Sequence, residues 1–123
     1  MLVGLDTGFL YALRDSNSLA TKLWENNHIV PVTSVIVVYE LQRKSLKGEL
    51  SLSLVDAFVE AVHVVEINIK IAKRAAELTH GTGLPMADAL ILTSLLEVGC
   101  KKIYTKDSHF LLYKKKGIDI IML

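Results

Sequence analysis

Apolar residues fall into two alternating patterns along this chain: short unbroken aliphatic runs, and longer segments in which apolar positions recur every three or four residues. The short runs are typical of buried strands and the longer segments of helices. The pattern predicts strands over residues 1–5, 29–33, 62–67, 102–105 and 118–122. It predicts helices over residues 9–13, 19–27, 34–47, 51–61 or 53–61, 69–80, 85–99 and 108–116.

Capping and turn residues punctuate these segments. Ser34 can cap the helix that follows it, and Gly48 can stop that helix. Gly81 and Gly83 are predicted to break the helix of residues 69–80. Pro85 suits the first turn of the next helix, because a proline there loses no helical hydrogen bond.

Strands of four to six residues that alternate with helices predict right-handed crossovers and a parallel sheet covered on both faces. The predicted fold class is therefore α/β, a three-layer α/β/α arrangement around a five-stranded parallel sheet. The chain has 123 residues and contains no repeat, low-complexity tract or linker-like stretch. We therefore expect a single domain spanning residues 1–123.

Composition limits the class of protein and the cellular compartment that the chain fits. The chain is 51% hydrophobic with a mean hydropathy of +0.40, which indicates either a very aliphatic core or a surface partly covered by another protein. Charges interrupt every apolar run well before the roughly 18 residues needed to span a bilayer. The segment before Asp6 does not resemble a secretory signal, and the single cysteine, Cys100, excludes an internal disulfide and a cysteine-rich zinc module. These features predict a cytoplasmic protein without membrane association.

Four acidic residues stand beside apolar segments: Asp6 in VGLDTGFL, Glu40 in VVYELQRK, Asp88 in LPMADALIL and Asp107 in IYTKDSHF. Asp6 and Asp107 come just after predicted strands, and Glu40 and Asp88 lie in the first two turns of predicted helices. Since those helices begin at the carboxyl edge of the sheet, all four side chains are predicted at one edge. Ligands of open α/β sheets bind there.

Converging carboxylates raise one another's pKa values unless a cation neutralises them, and oxygen ligands suit Mg²⁺ or Mn²⁺. Asp88 supports such a site because it begins an apolar stripe that Ile91 and Leu95 continue. The polar residues Thr93 and Ser94 are predicted to lie elsewhere around that helix. A charge on the inward stripe of a helix needs a partner.

Each acid also has an ordinary structural interpretation. Asp88 could be a first-turn acid that favours the helix dipole, which accounts for its charge but not for its place on the apolar stripe. Asp6 and Asp107 could be helix N-caps, a common role for aspartate after a strand. Glu40 could pair with Arg43 or Lys44 at helical spacing, a contact worth a few tenths of a kcal/mol. For any one residue these alternatives stay open, whereas the shared edge favours a common site.

The motifs LDTGFL, the glutamate after the second strand, ADALI and TKDSHF resemble, in this order and spacing, the PIN domain, and within it the free-standing toxins of the VapC type. The resemblance covers essentially the whole chain. It implies a metal-dependent ribonuclease in which Mg²⁺ or Mn²⁺ is held by four acids and two threonines orient a carboxylate or a bound water. The matching positions here are Asp6, Glu40, Asp88 and Asp107, with Thr7 and Thr105 in support.

One position departs from the family pattern. The family often carries a second acid two residues after the position of Asp107, where this chain has His109. The substitution bears on the number of metal ions or on their affinity, and sites for one and for two ions both stay open. We interpret His109 as a surface histidine rather than a phosphate contact, and Cys100 as a small hydrophobe rather than a nucleophile.

A net charge of +1 means that RNA contacts must come from local basic clusters. Arg43, Lys44 and Lys106 are the predicted phosphate contacts, because they neighbour Glu40 and Asp107 in sequence. The lysine run at residues 114–116 is interpreted as a solvated helix end.

The resemblance also implies two protein partners. One is a second copy of the chain, in a homodimer for which the helices over residues 52–62 and 69–78 are the expected contact. The other is a VapB-type antitoxin encoded next to it. The alternative function is a PIN-like binding or scaffold module with little catalysis, and metal binding distinguishes it from an enzyme.

Overall fold

The computed structural model describes all 123 residues of the chain. Its five strands are β1 (Leu2–Leu5), β2 (Val30–Ser34), β3 (His63–Val65), β4 (Lys102–Thr105) and β5 (Asp119–Met122). Its six α-helices are α1 (Thr7–Arg14), α2 (Ser18–Trp24), α3 (Val35–Leu46), α4 (Leu52–Ala61), α5 (Ile69–Thr82) and α6 (Met86–Glu97). A 3₁₀ helix, Ser108–Leu112, lies between β4 and β5. None of the helices has the length and apolar character required to cross a membrane.

All five strands are parallel and lie in the order β3-β2-β1-β4-β5, so β1 occupies the centre of the sheet. The chain moves outward from β1 through β2 to β3, then crosses to the opposite side of β1 for β4 and β5. This reversal between β1 and β4 is the point at which open α/β sheets form ligand-binding crevices. Leu5 of β1 is in register with Tyr104 of β4, which places the residues after both strands side by side.

Both faces of β1 are covered. Side chains alternate between the faces of a strand, and Val3 and Leu5 on one face are fully buried. On the other face, a Cβ added to Gly4 would come within 2.8 Å of Cδ1 of Leu95 in α6, so a glycine is needed for this close approach. The predicted three-layer α/β/α class is confirmed.

Local capping chemistry sets where several helices begin. Ser34 accepts a hydrogen bond from the backbone N–H of Ile36 at 3.1 Å, which confirms the predicted start of α3. Ser51 rather than Ser53 caps α4, through the backbone N–H of Leu54.

The structure corrects four predicted boundaries. Helix α5 continues through Gly81 to Thr82 and is capped by Gly83, whose φ of 80° lies in the left-handed region. A glycine in a helix interior costs only about 1 kcal/mol, and packing of α5 against α6 outweighs that cost. Helix α2 ends at Trp24, and β3 has only three residues and lies at the edge of the sheet, where it pairs with β2 alone.

The fourth correction concerns residues 108–116. The predicted helix there is only the 3₁₀ helix Ser108–Leu112. The three lysines that follow are exposed and offer no apolar face that packing could stabilise as helix. The chain instead turns at Gly117, with a φ of 90°, to enter β5.

Helix α6 is buried almost all round, so the predicted polar positions of Thr93 and Ser94 are wrong. Both residues are buried, because α6 packs against β2, α3 and α5. The hydroxyl of Ser94 donates to the carbonyl oxygen of Leu90 at 2.7 Å and accepts from the hydroxyl of Ser34 at 3.3 Å. Because these groups are paired, their burial carries no large penalty.

Candidate metal centre

The four acids converge on one cleft. The cleft has a volume of about 250 Å³ and lies at the carboxyl ends of β1 and β4. Its lining residues are Asp6, Thr7, Gly8, Glu40, Asp88, Ile91, Lys106 and Asp107. Asp6 follows β1, Asp107 follows β4, and Glu40 and Asp88 come from the first two turns of α3 and α6. The predicted edge of the sheet and the observed site are the same place.

Asp6 is both a helix cap and part of the cleft. Its Oδ1 accepts the backbone N–H of Gly8 at 3.0 Å, which caps α1, and its Oδ2 accepts the hydroxyl of Thr105. Each carboxylate oxygen has two acceptor sites, so these bonds leave capacity for a further ligand. The capping interpretation of Asp6 is therefore correct and does not exclude a role in the site.

Burial is the largest cause of the shift in the pKa of Asp6. The residue is only 5% exposed, and this burial raises its pKa from 3.8 to about 7. The hydrogen bonds from Thr105 and Gly8 oppose the shift, whereas the negative charges of Asp107 and Asp88 add to it. Burial and two acidic neighbours disfavour the ionised form of this carboxyl group. A bound cation would favour the ionised form, because it supplies the missing positive charge.

Asp88 lies in the first turn of α6. Burial raises its pKa to about 6, and the charge of Asp107 together with a hydrogen bond to that carboxyl group adds to the increase. Glu40 also raises the pKa, while His109 lowers it. The direction matches that of Asp6, so the raised values belong to a cluster and not to one unusual residue.

Asp107 caps the 3₁₀ helix in the way that Asp6 caps α1. Its Oδ1 accepts the backbone N–H of His109 at 2.9 Å, and its own backbone N–H donates to the hydroxyl of Thr105 at 2.8 Å. Thr105 therefore binds the Asp6 carboxylate and the Asp107 backbone at the same time. This double contact ties together the two chain segments that leave β1 and β4.

Glu40 is tied to the start of α1. The hydroxyl of Thr7 donates to Oε1 of Glu40 at 2.5 Å. Neither Arg43 nor Lys44 forms an ion pair with Glu40, and Lys44 instead pairs with Glu49 at 3.3 Å. The interpretation of Glu40 as a partner in a helix-surface ion pair is therefore wrong.

Of the three predicted basic contacts, only Lys106 lines the cleft. Its side chain packs against Gly8, where an added Cβ would lie 2.8 Å from the Cβ of Lys106. Arg43 is exposed on α3 but does not line the cleft, and Lys44 is held by Glu49. The structure thus brings one of the three basic side chains to the acids.

His109 is more than an isolated surface histidine. Its side chain is 59% exposed, but its Nδ1 lies 3.1 Å from Oδ1 of Asp107 and 3.4 Å from Oδ2 of Asp88. Sequence reasoning missed these contacts, although the spacing of two residues after Asp107 was the available signal. The cap formed by Asp107 turns the chain so that Nδ1 of His109 lies beside the carboxylates of Asp107 and Asp88.

The residues present fit a divalent cation. Carboxylate oxygens are the preferred ligands of Mg²⁺ and Mn²⁺, and the acids lie where their charges oppose ionisation in the absence of a cation. Asp88, Asp107 and His109 offer one ligand atom each within 4.8 Å of one another. A larger cavity of about 590 Å³, between α5, α6 and Tyr113, contains none of the four acids.

The chain resembles known proteins both in its sequence and in its fold. The sequence model of the PIN domain matches residues 3–116. A VapBC2 structure from Rickettsia felis, bound to a DNA fragment from its promoter, has a TM-score of 0.79 and 18% identity, covering 100% of this chain and 99% of that one. A toxin–antitoxin complex from Klebsiella pneumoniae has a TM-score of 0.74 and 18% identity, covering 96% of both chains.

VapC20 from Mycobacterium tuberculosis, a sarcin–ricin loop cleaving toxin, has a TM-score of 0.70 and 19% identity, covering 96% of this chain and 99% of that one. No curated protein sequence matches the chain. Identities this low establish a shared fold and leave the chemistry to be argued from the cleft itself.

Proposed function

This chain belongs to the PIN domain family, and from that premise we propose that it is a metal-dependent ribonuclease, the toxin of a toxin–antitoxin pair, which hydrolyses phosphodiester bonds of RNA. One observation carries the proposal: four carboxylates from four separate segments line a single cleft at the switch point of the sheet. A fold alone has no need of four acids there, because each additional charge makes the others harder to ionise.

We assign the following roles in this proposal. Asp6, Asp88 and Asp107 would hold Mg²⁺ or Mn²⁺, and Glu40 would help to hold the cation or position the attacking water. Thr105 and Thr7 donate hydrogen bonds that orient the carboxylates of Asp6 and Glu40. A bound divalent cation lowers the pKa of water and screens the charge of the phosphate.

Two further residues bear on the chemistry. Lys106 lines the cleft beside Gly8, where its ammonium group can contact a phosphate of the RNA backbone. Cys100 is 1% exposed and burial raises the pKa of its thiol to about 11, so it supplies no nucleophile at neutral pH. In the proposed mechanism, the acids would hold the cation that activates the water.

The substrate class is single-stranded or loop RNA. The cleft of about 250 Å³ has room for a phosphodiester group beside the acids. The similar fold of a toxin that cleaves the sarcin–ricin loop supports this class. Surfaces around the cleft would then recognise the parts of the RNA beyond the scissile phosphate.

The decisive experiment is cleavage of a structured RNA with Mg²⁺ or Mn²⁺, with EDTA, and with variants. Asp6→Asn and Asp88→Asn keep the side-chain size but remove the charge, and we expect each to reduce cleavage by orders of magnitude. Asp119→Asn is the matched control, because Asp119 is an exposed aspartate of β5, outside the cleft and outside the expected dimer contact. Undiminished cleavage in EDTA, or by the Asp88→Asn protein, contradicts the mechanism.

The competing function, a binding or scaffold module with little catalysis, gives no reason for four carboxylates in one cleft. Calorimetric titration with Mn²⁺ distinguishes the two functions without an activity assay. A protein that binds no divalent cation fits the scaffold and rules out the proposed enzyme.

We also propose an antitoxin partner, encoded by the adjacent gene, whose segment covers exposed apolar side chains and places a basic or bulky group near the acids. Exposed apolar side chains on the surface include Tyr39, Leu46 and Met86. The similarity of the fold to proteins from toxin–antitoxin complexes supports the proposal. Co-expression with the adjacent gene should yield a stable and inactive complex, so an active complex counts against it.

A further inference from the structure

The local backbone places the ring of His109 beside two of the acids that line the cleft. The backbone N–H of His109 donates to the Asp107 carboxylate at 2.9 Å, which closes the first turn of the 3₁₀ helix. The side chain then emerges beside the two acids, with Nδ1 at 3.1 Å from Asp107 and 3.4 Å from Asp88. Thus a single ring nitrogen faces carboxylates from two different segments.

These distances match those between neighbouring ligands of one ion. In an octahedral site with bonds of about 2.1 Å, ligands at right angles are roughly 3 Å apart. The ligand atoms of Asp88, Asp107 and His109 all lie within 4.8 Å of one another, which one coordination sphere can accommodate. The cleft therefore offers a nitrogen donor next to its oxygen donors.

The kind of donor affects which ion binds. Mg²⁺ binds oxygen ligands and keeps much of its water, whereas imidazole nitrogen suits Fe²⁺, Ni²⁺ and Zn²⁺, and Mn²⁺ accepts it more readily than Mg²⁺ although carboxylate oxygen is its usual ligand. We propose that His109 is a metal ligand and that it gives this cleft a preference for transition-metal ions such as Mn²⁺ over Mg²⁺. The inference rests on the proposed function in one respect, since it requires that the cleft bind a divalent cation.

The same geometry has a competing explanation. Nδ1 of His109 could serve only as a hydrogen-bond donor that holds the carboxylates of Asp88 and Asp107 together without an ion. In that case the ring must move away when an ion enters, and its 59% exposure leaves room for that movement. Removal of the ring would then strengthen the binding of every cation, which is the opposite of the effect expected for a ligand.

Calorimetric titration of the metal-free protein separates the two explanations. We expect His109→Ala to weaken Mn²⁺ binding by about tenfold or more and to change Mg²⁺ binding much less. His109→Asp, which supplies an oxygen donor, should shift the preference toward Mg²⁺. The matched control is His80→Ala, because His80 is an exposed histidine at the end of α5, away from the cleft.

Pulsed electron paramagnetic resonance of the Mn²⁺-loaded protein tests the bond directly. Coupling of Mn²⁺ to a nitrogen nucleus should be present in the wild type and in His80→Ala, and absent in His109→Ala. Bound Mn²⁺ without nitrogen coupling, equal losses of Mg²⁺ and Mn²⁺ affinity, or tighter binding by His109→Ala overturns this inference alone. Failure of all variants to bind either ion overturns the proposed function together with it.

Discussion

At the scale of single residues, Asp6 combines roles that are usually separate. It caps α1, accepts the hydroxyl of Thr105 and lines the cleft, all while being almost completely buried. The two hydrogen bonds explain why the folded protein tolerates this carboxyl group in its interior. They do not make it an easily ionised one, because burial raises its pKa to about 7.

This pKa predicts how the stability of the metal-free protein depends on pH. The folded protein keeps the proton of Asp6 up to about pH 7, whereas the unfolded chain loses it near its ordinary value of 3.8. The stabilisation is therefore complete below that value and is lost as the pH rises through 7, at roughly 1.4 kcal/mol for each pH unit between the two values. Asp88, with a pKa of about 6, acts in the same direction.

Thermal unfolding in EDTA at pH 5 and pH 8 measures this dependence. We expect a higher Tm at pH 5 for the wild type and a much smaller difference for Asp6→Asn, which has no proton to lose. Asp6→Asn should also be the more stable protein at pH 8. Addition of Mn²⁺ at pH 8 should stabilise the wild type more than Asp6→Asn, which lacks one of the proposed ligands. A wild-type Tm that rises from pH 5 to pH 8 contradicts the assignment.

At the scale of helices and strands, the sequence predicts the features that adjacent residues determine. It does not predict the features that depend on packing against distant elements. All five strands and the starts of α3 and α6 follow from aliphatic runs and from capping by Ser34 or the position of Pro85. The burial of Thr93 and Ser94 depends on elements distant in sequence that surround α6. A pattern of alternating polarity contains no information on those contacts.

Two glycines near the end of α5 provide a matched test of this distinction. Neither Gly81 nor Gly83 has an atom within 4 Å of the position where a Cβ would be added, so only their backbone conformations differ. Gly81 lies within the helix, and Gly81→Ala should stabilise the protein by about 0.5–1 kcal/mol. Gly83 has a φ of 80°, and Gly83→Ala should destabilise it by about 1 kcal/mol.

Urea denaturation of both variants measures the two changes under identical conditions. Effects of the same sign would mean that packing around the helix end, and not backbone conformation, decides the energetics. The prediction concerns stability alone, because neither glycine approaches the cleft.

At the scale of the whole molecule, the order of the strands brings the residues of the cleft together. Asp6 and Asp107 are predictable as residues that follow strands, but their contact through Thr105 requires β1 and β4 to be neighbours. The sequence pattern predicts a parallel sheet without giving its order. The neighbours of His109 and the separation of Arg43 from the cleft likewise depend on the assembled fold.

The proposed homodimer is tested by sedimentation at micromolar concentration, where the species should have twice the 13.6 kDa mass of the chain. Ile69, at the start of α5, is 76% exposed and lies in the predicted interface. Ile69→Glu should shift the equilibrium toward monomer. Leu112→Glu is the control, because Leu112 is an exposed leucine in the 3₁₀ helix, outside that interface. A wild type that sediments only at 13.6 kDa rules out the dimer.

The central position of β1 also has a consequence for the order of events during synthesis. Asp6 is made early, but the hydroxyl that holds it, that of Thr105, comes 99 residues later. Contacts between residues so far apart form late in folding, since a long loop must close first. Asp88 and Asp107 also emerge from the ribosome long after Asp6. If the chain is the proposed nuclease, the nascent protein therefore lacks its complete set of four acids until residue 107 has left the ribosome.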